Sequence, residues 1–334
     1  MANLNLRTLN PQTLASLIPR PIPSNPKTKE YVEQILKHGY VVIPNCFSRA
    51  EAEEAKAEII RLSGKEPWTG RNDFEGHRTN RIFALPNKSR LFDKFYILPQ
   101  VLALNDYFLE PDYLMYVIQS IVINPGEGQQ IVHHDDSTTK LPRPRAPVSA
   151  AIMVVFDDYT DINGATKIIP GSHLWGNEPR PDKKSTISIT CPAGSVIYFL
   201  GTTYHSGGPN RSDMPRHALT VQYCQPYIRP LEDLILSVDP RKLGDIPEKV
   251  VDMMGYKSGF PFLGSGKFTD RKYDINLHDE LNFARPVDGL NPRKGMQRMM
   301  RWLQEPVDYN PPTFAKEEGH KEMVEQQRFK SSKL

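Results

Sequence analysis

Apolar residues follow a helical period near the start of the chain and a strand period through its middle. A helix predicted over residues 28–38 has one apolar face, formed by Tyr31, Val32, Ile35 and Leu36. Between residues 116 and 226, short apolar runs alternate with turns rich in glycine and proline. That alternation is typical of a β-sandwich or β-barrel. The pattern therefore predicts helices first and a β-rich core after them.

The helical part contains two further signals. Residues 40–43, Tyr-Val-Val-Ile, predict a short buried strand. Ser48, followed three residues later by Glu51, forms a capping box, so a second helix begins here and Gly64 ends it. Residues 91–110 predict a further, short helical region.

The β-rich part predicts a jelly roll of about eight strands, with the candidate metal ligands described below inside it. The fold class expected is mainly β with flanking helices, around a double-stranded β-helix core of the cupin-like kind. The clearest predicted strands are 116–123, 148–156, 187–190, 195–200 and 218–223.

Composition narrows the class of protein. The 334 residues are 39% hydrophobic and 24% charged, as in an ordinary globular chain, and the net charge of +3 gives no reason to expect nucleic acid as a partner. No apolar run has the length of a membrane span. The first residues lack the apolar core of a secretory signal. Three cysteines without metal-type spacing suit a reducing compartment.

Two histidines and two aspartates stand side by side as His133-His134-Asp135-Asp136, directly after an apolar run and a turn. On an extended chain, side chains two residues apart share a face, so a histidine and an aspartate at that spacing can hold one metal ion. The pairs His133/Asp135 and His134/Asp136 both satisfy this spacing. The period alone therefore leaves the register open.

A third ligand must come from a distant part of the chain, and His205 offers it. It is expected on a turn after the strand 195–200, and Gly207-Gly208 would let the backbone approach a metal or ligand closely. Two histidines and one carboxylate on one face of a metal, with open positions opposite, form the site of non-haem Fe(II) oxygenases.

Three motifs resemble the phytanoyl-CoA dioxygenase family of Fe(II)/2-oxoglutarate enzymes, and the resemblance covers roughly residues 35–265. The motifs are Gln130-x-x-His133-x-Asp135, Asn163-Gly164-x-Thr166-x-x-x-Pro170-Gly171-Ser172-His173, and His205-x-Gly207-Gly208-x-Asn210 with Arg216.

The resemblance implies a site. It selects His133, Asp135 and His205 as ligands of Fe(II), leaving His134 and Asp136 facing away. It implies that Arg216 holds the distal carboxylate of 2-oxoglutarate, for which a guanidinium offers a bidentate fork. The hydroxyl found two residues after such an arginine in the wider superfamily is replaced by Ala218. The same resemblance therefore points to Thr166 and Gln130 as further contacts of 2-oxoglutarate, with O2 as the second cosubstrate.

The substrate expected from the resemblance is an apolar small molecule of fungal secondary metabolism, oxidised by hydroxylation, desaturation, rearrangement or endoperoxidation. One alternative is a peroxisomal acyl-CoA 2-hydroxylase, in which Lys140, Arg143 and Arg145 would meet the phosphates of CoA. Another is a jelly-roll binding protein without activity. The residues expected to line the substrate pocket are Trp68, Phe74, Phe83, Tyr116, Phe260 and Phe262.

The expected organisation is an arm over 1–27, one dioxygenase domain over 28–290 and an extension over 291–334. The domain would comprise the helical part, the jelly roll 116–226 and a lid segment 231–290 that resembles those of natural-product members. The chain finishes Ser332-Lys333-Leu334, which matches the peroxisomal address read by an import receptor. That signal predicts a peroxisomal location, with the cytoplasm expected otherwise.

Overall fold

The protein is described by a computed structural model over residues 8–64, 72, 74–177, 181–257 and 263, all within the unit Met1–Gly264. The predicted pocket residues Trp68, Phe260 and Phe262 therefore fall outside the described part. So do residues 264–290 of the predicted lid segment and the extension 291–334 with its terminal tripeptide. No helix among the described residues is long and apolar enough to cross a membrane.

Two antiparallel sheets form the centre of the fold, as the strand pattern predicted. A six-stranded sheet has the order β1-β7-β4-β9-β3-β2, and a three-stranded sheet has the order β6-β5-β8. The strands are β1 (Tyr40–Ile43), β2 (Thr79–Ile82), β3 (Leu114–Ile123), β4 (Ser149–Val155), β5 (Thr166–Ile168), β6 (Ile187–Ser188), β7 (Val196–Leu200), β8 (His205–Gly207) and β9 (Arg216–Cys224).

Helices precede and follow the sheets. Those before the jelly roll are α1 (Pro11–Ser16), α2 (Pro26–His38), α3 (Arg49–Ser63), α4 (Leu85–Lys88), α5 (Asp93–Tyr96) and α6 (Pro99–Phe108). Those after it are α7 (Leu234–Ser237) and α8 (Glu248–Val251), which continues into a π-helical turn at Asp252–Tyr256. Short 3-10 turns cover Asp135–Thr139, Ser172–Leu174, Lys183–Ser185 and Pro240–Asp245.

The apolar core lies between the two sheets. One cluster of buried side chains joins the inner faces of both, and its members include Ile121, Met153, Ile168, Phe199 and Ala218. Helices cover the outer face of the large sheet. One contact between them is the hydrogen bond that the Tyr198 hydroxyl on β7 donates to the Asn105 side chain on α6 (3.0 Å). β4 is buried at every position since it is covered on both faces.

The helical predictions are largely confirmed. α2 and the capping box of α3 form as expected, with the Ser48 side chain accepting from the Glu51 amide and the Glu51 carboxylate accepting from the Ser48 amide. The predicted helical region 91–110 divides into α5 and α6, with Pro99 beginning the second helix. No helix was predicted within the arm 1–27, but its described part contains α1, whose Leu14 is buried.

A half-buried carboxylate joins the helical part to the large sheet. Asp157, just after β4, accepts hydrogen bonds from the His217 amide (2.7 Å) and Nδ1 (2.9 Å), and it pairs with Lys56 on α3 (2.7 Å). Burial acts to raise the pKa of Asp157, but the bonds from His217 and Lys56 outweigh it and lower the pKa to about 2. A carboxyl group with a folded-state pKa below its unfolded value stabilises the fold above the unfolded pKa.

We expect Asp157→Asn to lower the free energy of unfolding by about 2 kcal/mol at pH 7. The difference in the free energy of unfolding between the variant and the wild type should shrink as the pH falls from about 5 towards 2. Asp157 of the wild type then becomes protonated and is uncharged, like the asparagine that replaces it. Urea unfolding across this pH range measures both effects. Asp161→Asn, the same change at an exposed position, is the control. A pH-independent loss in Asp157→Asn would contradict the assignment.

Candidate metal centre

Two distant parts of the chain meet through a pair of backbone hydrogen bonds. The His133 amide donates to the His205 carbonyl (2.9 Å), and the His205 amide donates to the His133 carbonyl (2.8 Å). His205 was expected on a turn but begins β8, which pairs with β5. The two imidazoles therefore face each other, with ring centroids 4.4 Å apart.

Asp135 completes a cluster of three potential ligands. Its Oδ1 lies 3.7 Å from His133 Nε2 and 3.5 Å from His205 Nε2, and one donor atom from each residue falls within 4.8 Å of the others. These distances are too long for hydrogen bonds. Two ligand bonds of about 2.1 Å to a shared ion place donor atoms about 3–4 Å apart. The cluster therefore fits one metal ion.

Hydrogen bonds to backbone carbonyls set the tautomer of both histidines. His133 Nδ1 lies 2.9 Å from the Ile131 carbonyl and His205 Nδ1 lies 3.0 Å from the Thr203 carbonyl. A carbonyl only accepts, so each Nδ1 carries the proton and each Nε2 presents its lone pair to the cluster. Burial is the main cause that lowers the pKa of each imidazole to about 4. Both are thus neutral near pH 7, as metal binding requires.

Asp135 is a buried carboxylate without a Lys or Arg partner among the described residues. Burial raises its pKa to about 6, and its Oδ2 has no hydrogen-bond partner. A charged carboxylate in such a place is costly unless a cation pairs with it. The two neutral imidazoles do not supply that charge, so the donor set itself calls for a bound cation.

The neighbouring pair takes a different role, as the resemblance implied. His134 Nδ1 lies 2.8 Å from Asp136 Oδ1, and Arg145 lies 2.8 Å from Asp136 Oδ2. Asp136 is 1% exposed. The chain is extended only as far as His134, because a 3-10 turn starts at Asp135. The strand period assumed from the sequence was therefore wrong beyond this point, although the ligand pair selected through the resemblance is the one that faces His205.

Arg216 is buried and incompletely paired. Its Nε and one terminal nitrogen, Nη2, donate to the Gly164 carbonyl at 3.1 and 2.6 Å, and its guanidinium carbon lies 4.7 Å from the centre of the Tyr159 ring. The other terminal nitrogen, Nη1, is buried and has no partner within the part of the chain that the structure describes. This excludes an exposed ion pair as its role. A buried guanidinium with an unused donor fits an anionic group in the adjoining cavity.

Thr166 and Gln130 line the same cavity as Arg216. Thr166, on β5, is 2% exposed. The Gln130 side chain bonds the backbone at both ends, accepting from the Gly207 amide (2.9 Å) and donating to the Phe74 carbonyl (2.8 Å). The second glycine of the predicted motif has a packing role, since a Cβ on Gly208 would lie 2.4 Å from the Ala165 carbonyl oxygen. The close approach there is between backbones and not to a ligand.

Two cavities meet at the cluster. The first, of about 400 Å³, contains Thr166 and Arg216, and the second, of about 600 Å³, contains Phe83, Val117 and Leu231. Both are lined by the same seven residues where they join, namely Phe74, Glu75, Arg81, Gln119, His133, Asp135 and Gln222.

Of the predicted pocket residues that the structure describes, two line a cavity and one does not. Phe74 borders both cavities, with its ring 4.7 Å from that of His133, and Phe83 borders the second. Tyr116 was expected there, but it is buried in the core beneath, where its hydroxyl bonds Thr138 (2.7 Å). It lines neither cavity.

Three polar residues at the junction were missed by the sequence reasoning. Arg81 on β2 donates to the Gln119 side chain on β3 (3.0 Å), and Gln222 on β9 lies beside Asp135. Gln119 interrupts an otherwise apolar face of β3, formed by Val117, Ile121 and Ile123, and this is the signal that could have found it. The register that brings β3 and β9 together is long-range and cannot be read from local pattern.

Known proteins resemble this chain in sequence and fold. The family described as Phytanoyl-CoA dioxygenase (PhyH) matches residues 35–218. Dioxygenase FUM3 of Gibberella moniliformis is 26% identical over 72% of this chain and 86% of its own, and Dioxygenase trt7 of Aspergillus terreus is 32% identical over 57% and 71%. The non-heme alpha ketoglutarate dependent carbocyclase SnoK from nogalamycin biosynthesis shares the fold, with a TM-score of 0.51 at 22% identity, covering 63% of this chain and 89% of SnoK.

Two neighbouring histidines provide a matched test of the ligand set. We expect His133→Ala to abolish bound Fe(II), because it removes one of three ligands. His134→Ala should retain the metal and lose only stability, because its imidazole bonds Asp136 instead. Metal content after gel filtration, with urea unfolding alongside, measures both. Retention in His133→Ala together with loss in His134→Ala would assign the metal to the other pair.

Proposed function

Since the chain belongs to the phytanoyl-CoA dioxygenase family and is a non-haem Fe(II)/2-oxoglutarate-dependent oxygenase, we propose that it tailors a small molecule of secondary metabolism. The relatives reported above are fungal dioxygenases, and a structural neighbour acts in the biosynthesis of a natural product. These likenesses support an oxidised natural product over a lipid-breakdown intermediate.

The observation that carries the proposal is the position of Arg216 relative to the metal cluster. The first cavity holds His133, Asp135 and His205 together with a buried guanidinium that has an unused donor. A hydrolase using the same three ligands would have no use for that arginine. A dicarboxylate that binds a metal at one end and Arg216 at the other accounts for both features.

The residues then have distinct tasks. His133, Asp135 and His205 would hold the iron, and Arg216 with Thr166 would hold the distal carboxylate of 2-oxoglutarate. Gln130 fixes Gly207 and Phe74, which form part of the cavity wall. When bound, Fe(II) with 2-oxoglutarate supplies O2 activation and the oxidation of a substrate C–H bond. The protein would position both reactants at the junction of the two cavities.

The acyl-CoA alternative loses its main support. Arg143 donates to the carbonyls of Ser172 (2.7 Å) and Trp175 (3.2 Å), and Arg145 pairs with buried Asp136. Two of the three cations expected to meet CoA phosphates are thus occupied inside the fold, and only Lys140 is exposed.

Peroxisomal import through Ser332-Lys333-Leu334 stays a prediction from the sequence. A fluorescently tagged chain with a free C-terminus should enter peroxisomes, and removal of Leu334 should prevent it. Cytosolic distribution of the intact chain would contradict the prediction.

The reaction class is tested by succinate formation. Protein with Fe(II), 2-oxoglutarate and O2 should form succinate faster in the presence of some members of a panel of polycyclic and long-chain natural products. Mass spectrometry should detect the oxidised compound. Stimulation by acyl-CoAs alone would favour the lipid alternative, and a failure to bind 2-oxoglutarate would exclude both.

We expect Arg216→Lys to raise the KM for 2-oxoglutarate about ten- to a hundred-fold. It keeps a charge but loses the bidentate fork, at a cost of about 1.5–3 kcal/mol. Succinate formation at varied 2-oxoglutarate concentration measures this. Arg211→Lys, the same change at an exposed position nearby, should leave KM unaltered. An unchanged KM in Arg216→Lys would remove this residue from the cosubstrate site.

A further inference from the structure

Strand β9 crosses the floor of both cavities. Its alternate residues Arg216, Thr220 and Gln222 all line the first cavity, and Gln222 also lines the second. Gln222 pairs with Val117 on one neighbouring strand and with Ala151 on the other, so its backbone is fixed at the centre of the sheet. The strand thus runs from the Arg216 end to the Gln222 end beneath the metal cluster.

The Gln222 side chain lies beside the Asp135 carboxylate at the junction of the two cavities. Its Oε1 is buried and has no hydrogen-bond partner among the described residues. A native buried acceptor without a partner calls for an explanation, and a ligand is one.

Several other polar groups of the second cavity have partners inside the protein. Thr138 bonds Tyr116, Ser237 donates to the Asp233 carbonyl, and Glu232 accepts from the amides of Ala84 and Ile118. Among the described buried atoms of that wall, Asp135 Oδ2 and Gln222 Oε1 lack one. Asp135 belongs to the metal cluster, so Gln222 Oε1 is the acceptor left for a substrate.

We propose that Gln222 selects the substrate of the second cavity by accepting a hydrogen bond from a hydroxyl group on an otherwise apolar skeleton. Phe83, Val117 and Leu231 provide the apolar surface. The hydroxyl would lie next to the metal cluster, so the carbon that reacts is close to an oxygenated one. The inference rests on the proposed function, since it takes the second cavity as the substrate's.

The same wall disfavours anionic substrates. Glu75, Glu232 and Asp233 border the cavity, whereas Arg81, the cation at the junction, donates to Gln119. A phosphoryl or carboxylate group beside Gln222 Oε1 would meet an acceptor and carboxylates instead of donors. The substrate class is therefore a neutral, hydroxylated compound of a size that fits about 600 Å³.

Paired probes that differ by one hydrogen-bond donor test this inference. Anaerobic protein with Fe(II) is titrated with 2-oxoglutarate by calorimetry, then with 1-decanol and 1-methoxydecane, and with testosterone and its 17-methyl ether. At least one alcohol should bind wild type about ten-fold more tightly than its ether. Gln222→Met, which keeps the length of the side chain but removes its amide, should bring that ratio close to one.

The controls separate this inference from the proposed function. Gln100→Met makes the same chemical change on the exposed side of α6 and should keep the wild-type ratio. Binding of 2-oxoglutarate by Gln222→Met shows that the variant is folded. If wild type fails to bind 2-oxoglutarate, the proposed function is wrong. If 2-oxoglutarate binds but no alcohol is preferred, or the preference survives in Gln222→Met, the role of Gln222 is wrong.

Discussion

The reciprocal hydrogen bonds between the His133 and His205 backbones are the constraint on which the site depends. They join a loop after β3 to the first residue of β8, over seventy residues away in sequence. β8 is in turn bonded to β5, which carries Thr166. The small sheet can close only because Gly208 has no side chain at its contact with Ala165. Metal ligands and cosubstrate contacts are thus positioned by backbone geometry.

This arrangement lowers the stability of the fold near the site. Asp135, Arg216 and Gln222 each have a buried polar atom without a partner, and each such atom costs about 1–3 kcal/mol in the absence of a ligand. The apolar cluster between the sheets and the bonds of Asp157 to His217 and Lys56 act in the opposite direction. Ligands that satisfy these atoms should therefore stabilise the fold as they bind.

Local pattern predicted the elements, and a motif predicted the ligand set. α2, the capping box at Ser48 and the long central strands follow from periodicity and composition, which are properties of a few adjacent residues. The start of a 3-10 turn at Asp135 and the strand at His205 do not, because both depend on hydrogen bonds to distant backbone. Arg145 could not be assigned from the sequence for the same reason, since its partner Asp136 faces away from the metal only in the folded chain.

The order of residues along β9 has a consequence for divergence among related chains. Arg216 and Gln222 lie six residues apart on the same strand, β9. Arg216 lines the first cavity and Gln222 lines both, and the two cavities join at the metal cluster. Substitutions at the Gln222 end can change which compound is accepted while the cosubstrate site is left intact. A gene duplicate could therefore acquire a new substrate in small steps without passing through an inactive intermediate.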